Sequence, residues 1–282
     1  MRAYKIGLYE KAMDDSLSWR EKMICAKECG YDYMEVCIDA SDEKIKRIDM
    51  ERTERKELVN IMFDIGLPIR SMSVSALTKY ALGDPDQKIR DKGVDIITKA
   101  IQLAADLGIR TVMIPGYDIY YGESTEETKL LFLENVQMAA EFGAKEGVLL
   151  GFETMENEFM NTTKKGMEYV TMVDSPFLKM YPDSGNITNA ALLYQQDVCE
   201  DLKLGKGSLV SLHLKETRPG VFREVPFLSG HVEFERIIEA AWKNGVRRYV
   251  TELWAAGEPG WKEAIQFAHD SMCAILDRQV TS

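Results

Sequence analysis

Short apolar runs alternate with longer amphipathic stretches along the whole chain, and the apolar runs predict eight β-strands. Each run is five or six residues long, which is typical of a strand that is buried on both faces. The predicted strands are Lys5–Tyr9, Tyr33–Ile38, Ile69–Ser73, Thr111–Pro115, Val148–Glu153, Leu178–Asp183, Leu209–Leu214 and Arg248–Glu252.

The stretches between these runs predict eight helices, because apolar residues recur in them at spacings of three and four, as at Ile97, Ala100, Ile101 and Ala104. Glycine follows several of them and marks the helix end. The predicted helices are Leu17–Cys29, Thr53–Ile65, Asp86–Leu107, Thr125–Ala144, Thr163–Val173, Ala190–Lys203, Phe234–Lys243 and Gly260–Leu276.

Eight strands that alternate with eight helices predict the α/β class and a (β/α)8 TIM barrel. No linker or shift in composition divides the chain, so we expect a single domain over residues 1–282. The alternative is an open doubly wound sheet, but no G-x-G-x-x-G turn follows the first predicted strand.

Charge and composition limit the partners. The 35 basic and 46 acidic residues give a net charge of −11, which opposes binding to nucleic acid or to an anionic membrane. No apolar run approaches the roughly 20 residues of a membrane span, and the first residues lack the apolar region of a secretory signal. We therefore expect a cytoplasmic protein without nucleic-acid or membrane partners, and we also expect a homo-oligomer.

Cysteine usage agrees with a cytoplasmic location. The five cysteines include no C-x-x-C pair, so reduced thiols are expected rather than a disulfide framework. Cys25 and Cys29 lie one helical turn apart, but no third ligand is near them in the sequence. We expect this pair to pack in the core rather than to bind a metal.

Four successive predicted strands end in residues whose side chains can ligate a metal or transfer a proton. Strand five ends in Glu153, strand six in Asp183 and strand eight in Glu252, and strand seven runs through His213. Because the carboxyl ends of the strands form the active site of a TIM barrel, these four side chains are expected at one rim.

The alternation of side chains on strand seven predicts the direction of the histidine. Val210, Leu212 and Leu214 share one face, which is expected to pack on the outer helices. His213 and Lys215 then share the other face and point into the barrel mouth. A register error of one residue would reverse this assignment.

Three carboxylates at one rim repel one another unless a cation lies between them. Together with one imidazole they form a four-point cage for a divalent ion such as Mn²⁺, Co²⁺, Mg²⁺ or Zn²⁺. The alternative for each residue alone is a solvated acid or a hydrogen-bonded histidine. Their joint position at four strand ends favours a shared metal site formed by Glu153, Asp183, His213 and Glu252.

At these residues the sequence resembles the L-xylulose-5-phosphate (L-ribulose-5-phosphate) 3-epimerases of the xylose-isomerase-like barrel superfamily. The resemblance runs through most of the chain and is most specific in two strings that contain a candidate ligand. The matching strings are Ile6-Gly7-Leu8-Tyr9-Glu10-Lys11-Ala12, Arg47-Ile48-Asp49, Gly116-Tyr117-Asp118-Ile119-Tyr120-Tyr121, Tyr181-Pro182-Asp183-Ser184-Gly185-Asn186 and His213-Leu214-Lys215-Glu216-Thr217-Arg218-Pro219-Gly220-Val221-Phe222.

The resemblance implies one divalent metal held by the same four residues, a ketose-phosphate substrate and inversion at carbon 3. Two loops depart from the family pattern. The loop from Ser75 to Asp84 lacks the histidine of the family string and keeps only Lys79 as a basic residue. Leu228-Ser229-Gly230 replaces a Gly-Glu-Gly string. Because of these departures, the resemblance supports the metal chemistry more strongly than it supports a particular sugar or the presence of a phosphate.

The implied reaction interconverts L-xylulose 5-phosphate and L-ribulose 5-phosphate. Removal of the C3 proton gives an enediolate, and inversion requires one proton-transfer group on each face. Glu153 and Glu252 are the expected catalytic pair. With one divalent ion, the three carboxylates leave a single negative charge, which a proton on one glutamate would neutralise. Substrate contacts are expected from a further set, Glu156, Asn186, Lys215 and Arg218, of which Lys215 and Arg218 are the expected phosphate ligands.

Other functions use the same kind of site. A free-ketose 3-epimerase, a 1,2-isomerase of the hydroxypyruvate type and a sugar-acid or inosose dehydratase all move a proton beside a metal-bound carbonyl. A more remote alternative is a catalytically inactive sugar-binding barrel. An endonuclease-IV type of enzyme needs more than three histidines and a basic groove, and a two-metal aldose isomerase needs further carboxylates, so neither fits.

Overall fold

The eight predicted strands form one parallel sheet in a computed structural model, which describes residues 2–254 and 259–281. Neighbouring strands pair in the order β6-β5-β4-β3-β2-β1-β8-β7. The strands are β1 (Lys5–Tyr9), β2 (Tyr33–Cys37), β3 (Ile69–Ser73), β4 (Thr111–Pro115), β5 (Leu149–Glu153), β6 (Leu178–Met180), β7 (Leu212–Leu214) and β8 (Arg248–Thr251).

The remaining edges, β6 and β7, meet through single bridges rather than through a continuous ladder. Met180 is bridged to Leu209, and Asp183 is bridged to His213. The His213 backbone N–H donates to the Pro182 carbonyl at 2.9 Å. These contacts close the barrel and confirm the (β/α)8 prediction over the alternative of an open sheet.

Helices follow the strands and cover the outside of the barrel. They are α1 (Trp19–Glu28), α2 (Asp42–Ile45), α3 (Arg52–Ile65), α4 (Gln87–Leu107), α5 (Glu126–Glu146), α6 (Thr163–Val173), α7 (Ser184–Tyr194), α8 (Val198–Lys203), α9 (Phe234–Lys243) and α10 (Trp261–Thr281). The expected glycine ends are present at Gly66, Gly108 and Gly147, which cap α3, α4 and α5 in the left-handed conformation. Within residues 2–254 and 259–281, no helix is long and apolar enough to cross a membrane.

The predicted helix Ala190–Lys203 is wrong, because the segment forms two helices. Gln195 adopts a left-handed φ of 52° and ends α7. Asp197 then starts α8 by accepting hydrogen bonds from the backbone N–H groups of Cys199 and Glu200. The start of α7 was also missed, since its N-cap is Asp183, which the pattern assigned to the preceding strand.

Two apolar clusters fill the molecule, one between the strands and the helices and one inside the barrel. The inner cluster contains Tyr9, Tyr33, Cys37, Met113, Tyr181 and Val250. Leu212 and Leu214 belong to the outer cluster, as the alternation on strand seven predicts. Val210 packs on the inner cluster instead. Its predicted outward direction is wrong because β7 begins only at Leu212, and the alternation does not extend back through the irregular bridge at Leu209.

The barrel interior leaves little free space near β1. A Cβ atom added at Gly7 would lie 2.4 Å from a ring carbon of Tyr33. Glycine at this position therefore makes room for the aromatic ring of the adjacent strand. Cys25 and Cys29 lie in the outer apolar cluster, and all five thiols are free, as expected.

A buried ion-pair network holds the carboxyl ends of β1 and β2 together. Glu10 is fully buried and accepts hydrogen bonds from both terminal nitrogens of Arg47 at 2.7 and 2.8 Å. It also accepts from Lys22 Nζ at 2.9 Å and from the Cys37 backbone N–H at 3.0 Å. These cations hold the pKa of Glu10 down at about 2, although burial alone raises it. Glu10 and Arg47 each belong to one of the strings that carry the family resemblance.

Arg47→Ala is expected to lower the free energy of unfolding by about 3–5 kcal/mol, because it leaves the buried Glu10 carboxylate without its main partner. Urea unfolding at neutral pH measures the loss. Because the pKa of Glu10 is lowered on folding, its stabilising effect is present above the ordinary glutamate pKa and is lost as the pH falls towards 2.

The control is Arg20→Ala, which breaks the exposed ion pair with Asp64. Exposed pairs of this kind are worth at most about 1 kcal/mol. Equal losses from the two substitutions would contradict the structural role assigned to the Glu10–Arg47 pair.

Candidate metal centre

The four predicted ligands are carried to one rim by four different elements. Glu153 is the last residue of β5, and His213 lies in the middle of β7. Asp183 follows β6 as the N-cap of α7. Glu252 comes directly after β8, where its backbone N–H donates to the Leu214 carbonyl at 2.9 Å. The short ladder between β7 and β8 therefore fixes the spacing of His213 and Glu252.

These residues bring one possible ligand atom each to within 4.8 Å of one another. Asp183 and His213 are fully buried, and Glu153 and Glu252 are only 6% exposed. Asp183 Oδ1 caps α7 by accepting from the Asn186 backbone N–H at 2.7 Å. Asp183 Oδ2 is also buried but has no hydrogen-bond partner within the described part of the chain. A buried carboxylate oxygen without a partner is costly, and its place in this cluster fits a metal ion.

His213 is held from both ring nitrogens. Nδ1 lies 2.7 Å from Glu252 Oε2 and 3.3 Å from Glu153 Oε1. Nε2 lies 2.5 Å from Oε1 of Glu35, a buried residue of β2. The nitrogen that faces the other candidate ligands is therefore Nδ1.

Lys215 lies within the same cluster. Its Nζ is 3.2 Å from Asp183 Oδ1 and 3.8 Å from Glu252 Oε1. Lys215 comes directly after β7, and its side chain reaches the barrel mouth beside His213, as predicted, but its ammonium group pairs with two of the candidate ligands. It therefore supplies a positive charge inside the carboxylate cluster.

Burial and these neighbours move the pKa values of the carboxyl groups in different directions. Burial raises the pKa of Asp183 to about 7, against the attraction of Lys215. Burial also raises the pKa of Glu153. For Glu252, burial acts upward, but Lys215 and His213 outweigh it and lower the pKa to about 2. The negative charge of the cluster is thus only partly offset by the protein itself, which favours a bound cation.

A cavity of about 60 Å³ opens onto the cluster. It is lined by Tyr9, Ser73, Ser75, Thr78, Met113, Pro115, Glu153, Met155, Glu156, Asn186, His213, Lys215, Phe222, Arg223, Glu252 and Trp254. Hydroxyl groups at the end of β3 and after it lie on its wall, a carboxylate and a guanidinium group come from the loops after β5 and β7, and the amide of Asn186 comes from the first turn of α7. The cavity therefore combines the candidate metal ligands with groups that can hydrogen-bond a polyhydroxylated molecule.

The structure brings three of the four predicted substrate contacts to this cavity. Glu156 lies on its wall and accepts hydrogen bonds from the Tyr117 hydroxyl and, at 3.2 Å, from Arg223. Asn186 donates through Nδ2 to the Thr154 carbonyl, while its buried Oδ1 has no described partner. Lys215 is the third of these contacts.

Arg218 lies elsewhere. Its side chain is exposed and is 3.4 Å from the Ser229 hydroxyl, and it is not among the residues that line the cavity. The backbone of Arg218 pairs with Val221 in a tight reversal. Its role as a phosphate ligand stays a prediction that this position does not favour.

Two residues of the site, Glu35 and Arg223, are not predicted from the sequence. Glu35 was assigned only to a buried strand, although a charged residue inside such a strand was itself a signal. Arg223 directly follows the matching string that ends at Phe222, but nothing in the local pattern shows that its guanidinium reaches Glu156 across the barrel mouth. Arg223 is the basic residue that the structure places where Arg218 was expected.

Comparisons with known proteins agree with this geometry. Residues 25–270 match the family model described as "Xylose isomerase-like TIM barrel". The chain is 38% identical over 268 residues to SgbU of Escherichia coli (strain K12), with 92% of each chain covered. It is 37% identical over 251 residues to the L-ribulose-5-phosphate 3-epimerase UlaE of Escherichia coli O157:H7, covering 89% of this chain and 87% of the relative. A crystal structure of D-psicose 3-epimerase in the presence of D-fructose shares the fold, with a TM-score of 0.79, 16% identity, and 96% and 99% coverage.

His213→Ala is expected to abolish tight binding of a divalent metal, because it removes the nitrogen donor and leaves three carboxylates to share one cation. Metal content after dialysis against Mn²⁺ or Zn²⁺ measures the effect, with His231→Ala as the matched control. His231 contacts Thr217 at 3.0 Å and does not belong to the cluster. A His213→Ala protein that keeps full metal content would contradict the assignment.

Proposed function

We propose a function from the premise that the chain belongs to the L-ribulose-5-phosphate 3-epimerase family of xylose isomerase-like TIM barrels. The chain is accordingly an isomerase of the epimerase type. The proposed activity is the metal-dependent interconversion of L-xylulose 5-phosphate and L-ribulose 5-phosphate, with proton transfer by Glu153 and Glu252. The name of the relative UlaE supports the substrate, and the site of this chain supports the chemistry.

The observation that carries the proposal is the joint position of two glutamates in one buried cluster. Glu153 ends β5 and Glu252 directly follows β8, and both line the cavity beside His213. A 3-epimerase needs two proton-transfer groups at one carbon, and a metal site alone does not require a second glutamate in the cavity.

When bound by the four ligands, a divalent metal would polarise the C2 carbonyl of a ketose and so acidify the C3 proton. One glutamate removes that proton, and the other delivers a proton to the opposite face of C3. Asp183 has no such role, since it caps α7 and pairs with Lys215. Its contribution is to hold the cluster in place.

Lys215 changes the expected charge balance of the site. From the sequence alone, a proton on one glutamate is expected to offset the negative charge that a divalent ion leaves. The ammonium of Lys215, 3.2 Å from Asp183, supplies that positive charge without an additional proton. Turnover still requires one glutamate to be ionised, so that it can accept the C3 proton, and the other to carry the proton that it delivers. In this role Lys215 stabilises the ionised cluster rather than the phosphate.

Substrate hydroxyls find partners on the cavity wall. We assign Asn186 Oδ1, which has no described partner, as an acceptor for a substrate hydroxyl, and Glu156 as a second acceptor.

Mn²⁺, Co²⁺, Mg²⁺ and Zn²⁺ all suit three carboxylates and one imidazole, so metal analysis has to choose among them. A cytoplasmic location and a homo-oligomer stay predictions from the sequence.

A free-ketose 3-epimerase is the second candidate, favoured by one observation. Both cations on the cavity wall already have carboxylate partners: Lys215 pairs with Asp183, and Arg223 pairs with Glu156. A phosphate dianion would have to compete for one of them, whereas the hydroxyl groups of Ser75 and Thr78 suit an uncharged sugar. Product NMR separates both epimerases from an isomerase or a dehydratase, since an epimer, an aldose and an unsaturated ketone give different spectra.

Glu153→Gln and Glu252→Gln are each expected to lower kcat by about 10²–10⁴-fold while metal binding changes less. The amide keeps the shape and one oxygen donor but cannot transfer a proton. Steady-state rates and metal content measure the two effects, and exchange of the C3 hydrogen with D₂O separates the roles. A variant of the proton-donating glutamate still permits exchange. Near-normal epimerisation by either variant would refute the two-glutamate scheme.

The phosphate is tested by comparing kcat/KM for L-xylulose 5-phosphate with kcat/KM for free L-xylulose. We expect Arg223→Ala to lower kcat/KM about 10- to 100-fold for L-xylulose 5-phosphate and to leave kcat/KM for free L-xylulose unchanged. The reason is the loss of a charge-assisted hydrogen bond of about 1.5–3 kcal/mol to the phosphate. Arg218→Ala is the matched control and is expected to change little. A parent enzyme that prefers the free sugar would favour the second candidate and leave the epimerase chemistry intact.

A further inference from the structure

A buried carboxylate that does not belong to the four candidate ligands, Glu35, lies behind the proposed metal site. Glu35 is on β2, across the barrel from β7, and it is fully buried. Tyr33 and Cys37, two residues to either side on the same strand, belong to the inner cluster, so Glu35 also faces the interior. Its Oε1 lies 2.5 Å from His213 Nε2, on the opposite side of the ring from the candidate ligands.

The other oxygen of Glu35 is also held. Oε2 accepts a hydrogen bond from the Tyr181 hydroxyl at 2.7 Å. The Tyr181 ring in turn packs edge-on against the His213 imidazole, with the ring centroids 4.9 Å apart. One tyrosine thus positions both the carboxylate and the imidazole that it contacts.

Burial of the Glu35 carboxylate costs desolvation free energy, and no ion pair with a lysine or arginine of the described chain offsets this cost. Glu10, the comparable buried carboxylate, has both Arg47 and Lys22. Because the only basic partner of Glu35 among the described residues is a histidine, we expect Glu35 to act on that histidine.

We propose that Glu35 is a positioning residue that holds the His213 proton on Nε2 and thereby makes Nδ1 the metal ligand. The inference rests on the metal site of the proposed function. Both ring nitrogens face carboxylates, but only Nδ1 faces the other candidate ligands. A neutral imidazole carries one N–H, and a bound cation would displace the proton from Nδ1, so the proton stays on Nε2 beside Glu35. The lone pair of Nδ1 then points at the cluster, where Glu252 Oε2 is 2.7 Å away.

The same contact strengthens the metal ligand and fixes its direction. A hydrogen bond from Nε2–H to a carboxylate increases the electron density at Nδ1 and prevents rotation of the ring. His213 offers the one imidazole in the cluster of four candidate ligands. Removal of the Glu35 charge should therefore weaken metal binding even though Glu35 never contacts the metal.

The test measures metal affinity, which does not depend on the substrate. Zn²⁺ binding to the full-length protein is measured by competition with a chromophoric chelator for the parent, Glu35→Gln and Tyr181→Phe. We expect Glu35→Gln to weaken binding about 10- to 100-fold, the usual range for a lost carboxylate partner of a histidine ligand. Tyr181→Phe is expected to have a smaller effect in the same direction.

Tyr33→Phe is the matched control for Tyr181→Phe. Each substitution removes one buried phenol hydroxyl from the barrel interior, but the Tyr33 hydroxyl donates to the Tyr249 carbonyl instead of to Glu35. Thermal melting of the metal-free proteins shows which variants are folded. If Glu35→Gln does not fold, the comparison between Tyr181→Phe and Tyr33→Phe decides the matter. Equal Zn²⁺ affinities for these two, or an unchanged affinity for folded Glu35→Gln, would overturn the proposal.

A spectroscopic measurement tests the tautomer directly. The chain has three histidines, so long-range ¹H–¹⁵N spectra of the Zn²⁺-loaded protein are simple, and the signals lost in His213→Ala identify His213. We expect its Nε2 to carry the proton, whereas Zn²⁺ on Nε2 would refute the assignment. A parent that binds Zn²⁺ through Nδ1 but epimerises no ketose would refute the proposed function and leave this inference standing. Absence of Zn²⁺ binding by the parent would refute the metal site and this inference with it.

Discussion

The mutual repulsion of three buried carboxylates is the constraint around which the carboxyl end of this barrel is organised. Glu153, Asp183 and Glu252 each contribute an oxygen to a cluster no wider than 4.8 Å. In an interior of low dielectric constant, such a cluster is stable only if positive charge lies within it. Lys215, which comes directly after β7, provides part of that charge, and a divalent cation is the natural complement.

Closure of the barrel and assembly of the site are the same structural event. The sheet is continuous from β6 round to β7, and the remaining edge is joined through the bridge between Asp183 and His213. Two of the candidate ligands thus belong to the contact that completes the barrel. Asp183 also begins α7, so the backbone that closes the sheet, the helix cap and the metal ligand are fixed together. This arrangement restricts the movement of the ligand set before any metal binds.

Glu10 and Glu35 are also buried, and their partners differ in a way that suits different roles. Glu10 joins β1 to β2 through Arg47, Lys22 and the Cys37 backbone, which is an arrangement for stability. Glu35 is bound instead by His213 and Tyr181, groups that reach directly to the cluster. Glu10 stabilises the carboxyl ends of β1 and β2, and Glu35 orients the candidate metal ligand His213. Neither Glu10 nor Glu35 is among the residues that line the cavity.

The sequence by itself determined the eight strands, the barrel and the four residues at its rim, because a parallel barrel brings strand ends together whatever the loops between them do. It failed where a contact depends on the closed structure. Val210 faces inward because β7 starts late, and the segment 190–203 divides because Gln195 leaves the helical conformation. The pairing of Lys215 with Asp183, the reach of Arg223 to Glu156 and the contact of Glu35 with His213 each join distant strands or loops. Local periodicity contains no information on such distances, and only the tertiary structure decides them.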